Sequence, residues 1–127
     1  MIHTYEFVLQ DKFIRSRTRA EFETKEGKEK GEVHEDVGFF SYDSDRDKIM
    51  FRKFLSEGFV NTYVLEPIEP GGRKLIFKSE STESAGGMLA RLTIEFVSGD
   101  EYKMLLDLAF PGKDFFNCQA ISMNKVE

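Results

Sequence analysis

Turn-forming residues recur along this chain at nearly even intervals, and that rhythm constrains its folding more than any single motif. Gln10-Asp11, Glu26-Gly27, Ser44-Asp45-Arg46-Asp47, Ser56-Glu57-Gly58, Pro70-Gly71-Gly72, Ser84-Ala85-Gly86-Gly87, Ser98-Gly99-Asp100 and Pro111-Gly112-Lys113 all combine residues that set or tolerate turn dihedrals. Between them lie stretches rich in Phe, Tyr, Val, Ile and Thr that alternate with polar residues, the period of a strand with one buried face. Roughly nine strands are expected. Links this short pair successive strands antiparallel. No window carries an apolar stripe at helical spacing, and none reads as a linker, a repeat or a low-complexity segment. The expected fold class is all-β, an antiparallel meander that hides its edges by curling into a barrel. A barrel of about eight to ten strands encloses room for packed side chains or for one small ligand.

Composition agrees with one such domain over residues 1–127. With 40% hydrophobic residues and 13 Phe, the chain has enough apolar surface to build a core. The net charge of -5 opposes a nucleic-acid partner, because phosphate binding needs clustered positive charge. A lone Cys118 has no partner for an internal disulfide, and no basic segment followed by an apolar run opens the chain. No run approaches the ~18 apolar residues of a membrane span. These features lead to the expectation of a cytoplasmic protein with no membrane span.

Hairpin tips set which side chains face inward. A turn at Gln10-Asp11 sets Phe7 opposite Ile14, Tyr5 opposite Ser16 and His3 opposite Thr18 on the inner face, with Glu6 meeting Arg15 outside. A second tip at Glu26-Gly27 sets Ala20 opposite Val33, Thr18 opposite Glu35, Ser16 opposite Val37 and Ile14 opposite Phe39. In that register Glu32, His34 and Asp36 project outward against Arg15, Arg17 and Arg19. Alternate strand residues can share a metal, but guanidinium groups repel a divalent cation. An exposed charge ladder is the expected role, ahead of a metal site or an anion-binding patch on the arginines.

The same parity turns Glu35 inward, where an unpaired carboxylate is costly. His3, Thr18 and Glu35 then form a polar row across three strands, spanning ~10 Å at the usual strand spacing. A tip at Ser98-Gly99-Asp100 sets Phe96 opposite Tyr102, Ile94 opposite Met104, Leu92 opposite Leu106 and Ala90 opposite Leu108, with Arg91 meeting Asp107 outside. Continuing through Pro111-Gly112-Lys113 turns Phe116, Cys118, Ala120 and Ser122 inward, which makes Cys118 a small buried group. Around IMFRKF two registers stay open: one turns Met50, Arg52 and Phe54 inward, the other Ile49, Phe51, Lys53 and Leu55. An inward Arg52 would anchor an acidic ligand. In FVNTYVL, Asn61 and Tyr63 share one face with Phe59 and Leu65, and either face is open to the lumen.

The YDSDRDK turn (Tyr42 to Lys48), the segment FRKFLSEGFVNTYVL (Phe51 to Leu65) and the stretch LAFPGKDF (Leu108 to Phe115) resemble the lipocalin-like, or calycin, barrels. More narrowly they are similar to small prokaryotic barrels related to the nitrobindin-like haem-binding barrels. The resemblance rests on strand rhythm across most of the chain. It implies an opening Gly-x-Trp strand, and this chain has no Trp, which leaves two expectations: a barrel incomplete at its N-terminal edge, or a sheet closed there by something else. A second copy covering residues Ile2 to Leu9, giving a homodimer, would close it. The resemblance also implies haem on a C-terminal histidine, and no histidine follows His34. His3 would ligate iron only by another geometry.

The leading expectation is therefore a barrel that binds a small, mainly hydrophobic molecule. Its site residues are His3, Tyr5, Phe7, Ser16, Thr18, Glu35, Val37, Phe39, Arg52, Asn61, Tyr63, Leu92, Tyr102 and Met104, with Ile14, Ile94 and Leu106 completing the apolar wall. Two other classes remain. One is an enzyme using Glu35 beside His3 as acid and base. The other is a packed barrel that works as a structural or interaction module through its dimer interface.

Overall fold

The computed structural model describes residues 1–21 and 33–125. Nine strands alternate with turns: β1 (Ile2–Val8), β2 (Phe13–Glu21), β3 (Val33–Asp43), β4 (Lys48–Leu55), β5 (Val60–Leu65), β6 (Lys74–Glu83), β7 (Leu89–Phe96), β8 (Glu101–Ala109) and β9 (Phe116–Asn124). They form one antiparallel sheet in chain order, curled into an open half-barrel, with no helix among the described residues. Seven of the eight turn clusters fall between strands, and Glu26-Gly27 lies outside the described residues. The β1–β2 turn places Gln10 (φ 59°) and Asp11 (φ 61°) in the left-handed region, the conformation of a two-residue hairpin that matches strand twist.

The β1–β2 register pairs His3 with Thr18, Tyr5 with Ser16 and Phe7 with Ile14, as the first tip requires. The β7–β8 register likewise pairs Leu92 with Leu106, Ile94 with Met104 and Phe96 with Tyr102. Arg91 and Asp107 meet at 3.0 Å. The β2–β3 register differs by one residue. Thr18 faces Asp36, Ser16 faces Gly38, Ile14 faces Phe40, and Arg19 faces Glu35. Because side chains alternate, one step exchanges the two faces of β3. Asp36, Gly38 and Phe40 turn inward, while Glu35, Val37 and Phe39 turn outward.

Gly38 explains why this register wins. A Cβ there would overlap the ring edge of Phe51 on β4 and press on Ser16 Oγ at 2.9 Å. Glycine inside a strand marks such a close approach. The Phe51 ring then stacks on Phe40 with centroids 4.1 Å apart, and Phe77 meets Phe40 edge-on at 5.7 Å. Tyr63, Ala90, Leu92 and Ile94 complete the buried cluster. Each fully buried large side chain contributes ~1.5–3 kcal/mol, so these rings seal one end of the half-barrel. In β4 the inward set is Phe51, Lys53 and Leu55, and Arg52 is exposed on the outer face with its guanidinium 5.8 Å from the Phe54 ring.

A second departure from strict alternation lies at β8–β9. The ladder pairs Asp107 with Asn117 but Leu106 with Gln119, so Cys118 is the extra residue of a bulge. Asn117 pins it by donating through Nδ2 to Asp107 Oδ1 at 3.0 Å and to Gln119 O at 3.3 Å. A bulge reverses the parity of the residues beyond it. Gln119 and Ile121 therefore line the interior where Ala120 and Ser122 were expected, and Cys118 is exposed.

Candidate functional site

The aromatic plug fills one end of the half-barrel, and the other end is hollow. Two adjoining chambers occupy it. The larger, about 450 Å³, lies among β4–β8 and is lined by Leu55, Phe59, Tyr63, Ala90, Leu106 and Leu108, with Asn61, Thr82 and Ser84 among its polar points. The smaller, about 180 Å³, is lined by His3, Thr18, His34, Asp36, Leu92, Met104 and Gln119. Lys53, Leu55, Glu57 and Leu106 border both chambers and join them. A guest lying across this border would meet an apolar wall at one end and charged groups at the other.

The charged end is built from strand register. His3, Thr18 and Asp36 occupy facing positions on β1, β2 and β3. Lys53 sits opposite Gly38 on β4. Its Nζ lies 3.5 Å from Asp36 Oδ2, which also accepts from His34 Nε2 at 3.2 Å. The other nitrogen of His34 lies 2.5 Å from Glu57 Oε1. The turn carrying Glu57 is held to β3 by Ser56 N donating to Glu35 O at 2.8 Å and Glu35 N donating to Ser56 Oγ at 3.1 Å. Asp36 is 3% exposed at its side chain. Lys53 and His34 offset the cost of that burial through Oδ2. Its Oδ1 is buried with no hydrogen-bond partner among the described residues.

A neutral cluster adjoins this end. His3 Nδ1 lies 3.2 Å from the Tyr102 hydroxyl, and the Tyr5 hydroxyl lies 3.4 Å from His3 Nδ1 and 3.3 Å from Tyr102. These contacts join β1 to β8 across the mouth of the half-barrel, although the two strands share no ladder. Burial holds the His3 imidazole below its ordinary range, outweighing the attraction of Asp36, and Lys53 pushes the same way. Burial and the Tyr102 hydrogen bond push the Tyr5 hydroxyl up. Tyr63, sealing the floor of the larger chamber, is pushed up to about 12 by burial, against the hydrogen bond that Asn61 Nδ2 donates to it at 3.2 Å.

Of the residues predicted to form the site, His3, Thr18, Leu92 and Met104 line the smaller chamber, with Tyr5 and Ser16 in the narrow cleft beneath it. Asn61 and Tyr63 line the larger chamber, and Tyr102 joins through His3. Phe7 shares their parity but is 66% exposed near the end of the edge strand. Glu35, Val37, Phe39 and Arg52 lie on the outer face. The Glu35 side chain is 59% exposed and sits 3.4 Å from Arg19, so the acid–base role drawn for it has no buried carboxylate at that position.

Asp36 takes the place expected of Glu35, and His34, expected outside, reaches the chamber. Lys53 belongs to the second of the two β4 registers left open by the sequence, and Glu57, in the turn beyond it, completes the set. The mark available in the sequence was Gly38 between Val37 and the Phe39-Phe40 pair.

The expected alternative of a metal at Glu32-His34-Asp36 falls partly outside the described residues, since Glu32 is not among them. Within those residues no group of three or more His, Cys, Asp or Glu is placed to hold a metal ion. A haem in the roomier chamber would find no histidine on its wall, because His3 and His34 line the chamber of about 180 Å³ instead. No described helix is long and apolar enough to cross a membrane. No protein-family model matches this chain, and no curated protein matches it.

Proposed function

We propose that the half-barrel binds a small, mainly hydrophobic molecule. The observation that carries this reading is the pair of joined chambers, the larger about 450 Å³ with a largely apolar wall. Small-molecule sites commonly run ~300–1,000 Å³ and combine apolar lining with a few convergent polar groups. An apolar cavity of ~150 Å³ already takes benzene, so the larger chamber has room for a guest several times that size. The curled nine-stranded meander is compatible with a lipocalin-like barrel, whose interior serves the same purpose. A solid scaffold is less well supported, because the core rings occupy only the plugged end.

Native mass spectrometry tests the reading, using protein isolated from its own cells and protein incubated with the neutral apolar dye N-phenyl-1-naphthylamine. A one-to-one complex in either sample is the expected result. Bare polypeptide in both would refute it.

A second reading concerns the sheet edges. The outer edges of β1 and β9 pair with no other strand among the described residues, and Ile2, Phe7 and Leu9 are exposed along β1 and just beyond it. Free strand edges invite pairing, and a second copy docking there would form a homodimer. Light scattering that finds only monomer across the accessible concentration range would remove this reading.

A further inference from the structure

Resting on the proposed binding function, we infer that the guest carries a protonated amino head group, its apolar body in the larger chamber and its ammonium against Asp36. Three observations combine. First, Asp36 lines the smaller chamber, and its Oδ1 is buried and finds no donor among the described residues. A buried carboxylate oxygen without a donor is costly, so a head group that donates hydrogen bonds satisfies it, whereas one that only accepts does not.

Second, the local charge disfavours an anion. Asp36 and Glu57 carry two negative charges against the single positive charge of Lys53. His34 lies between the two carboxylates, 3.2 Å from one and 2.5 Å from the other, and adds a positive charge only when both its nitrogens carry protons. These four side chains together are therefore negative or neutral. Lys53 is already turned toward Asp36 Oδ2, and Met1, whose amino group is the other positive charge near His3, is half exposed at the chamber's edge.

Third, the polarity is divided in space. Leu55 and Leu106 stand on the border, so a chain leaving the charged end passes directly onto the apolar wall formed by Phe59, Ala90 and Leu108. A linear or compact amine with one hydrophobic end matches this division. A uniformly polar molecule would leave the larger chamber wet, and a uniformly apolar one would leave Oδ1 without a donor.

Isothermal titration at pH 7 with decylamine, 1-decanol and decanoate, all below their aggregation concentrations, separates the outcomes. Charge-assisted hydrogen bonds are stronger than neutral ones, so decylamine should bind at least about tenfold tighter than decanol, and decanoate weakest. Asp36→Asn should bring decylamine down to the affinity of decanol and leave decanol within about twofold. Lys53→Gln, which removes the cation already facing Asp36, should tighten decylamine further; it also serves if Asp36→Asn fails to fold, as judged by its thermal melt. Equal affinities for all three compounds would mean that Oδ1 is served by water only. A preference for decanoate would make Lys53 the anchor. Either result overturns the head-group inference while leaving cavity binding intact. No binding of any of the three, together with no dye complex in mass spectrometry, would bring down both.

Discussion

Gly38 has no side chain, and much of the interior depends on that. The space it leaves is taken by the Phe51 ring, which closes onto Phe40. Replacing it by alanine forces a methyl group into the edge of a buried, stacked ring rather than into the end of a flexible chain. Overpacking of this kind costs ~1–3 kcal/mol, which for a chain of this size lowers the melting temperature by several degrees. Trimming the ring should restore part of the loss, because the two positions are in contact and their effects should not add. Thermal melts of Gly38→Ala, Phe51→Leu and the double variant test this. Strict additivity would show that the glycine does not act through Phe51.

At the scale of elements, β1 is the strand whose place depends least on backbone pairing. One edge bonds to β2, and the other shares no ladder with β8 but is linked to it by the hydrogen-bonded cluster of His3, Tyr5 and Tyr102. Burial lowers the His3 pKa, with Asp36 opposing the shift and Lys53 and the amino terminus adding to it. Below the ordinary value of 6.5, the unfolded chain takes up a proton that the folded chain resists, so stability is full above that pH and falls as pH drops below it. Urea midpoints at pH 7.5 and 5.5 should show a larger loss for the native chain than for His3→Gln, which removes this group while the other titrating groups remain. Equal losses would mean that His3 is not buried against Tyr102.

The same elements show how far the fold was legible in the sequence, and why. Turn chemistry placed the strands, because glycine, proline and short polar residues punctuate locally. The β1–β2 and β7–β8 registers came from compact tips flanked by clear alternation. The β2–β3 register did not. The sequence between the two strands offers both Gly27 and Gly31 as turn residues, and β3 carries His34, Glu35 and Asp36 near its start, so either parity buries a carboxylate. Packing against Phe51 on the neighbouring strand decides the parity, and its one local mark is Gly38, which alternation alone does not read. The Cys118 bulge is hidden for a related reason. One extra residue is fixed by the side chain of Asn117 and by the partner strand, not by anything its neighbours in sequence reveal.

Taken whole, the molecule is a curled sheet with an aromatic plug at one end and a divided chamber at the other. Its curvature brings β1 to β8 without closing the ladder, leaving the outer edges of β1 and β9 free of sheet partners among the described residues. The apolar wall and the Asp36 cluster meet along Lys53, Leu55, Glu57 and Leu106, so one guest can touch both. Whether that hollow end accepts a molecule decides the proposed function. The most direct measurement is a proton–nitrogen correlation NMR titration of the labelled protein with N-phenyl-1-naphthylamine. The predicted result is saturable shifts at Asn61, Tyr63, Ala90, Leu106 and Leu108, with Arg52 and Phe54 on the outer face unmoved. Shifts confined to the outer face or to the edge strands, or none at all, would contradict it.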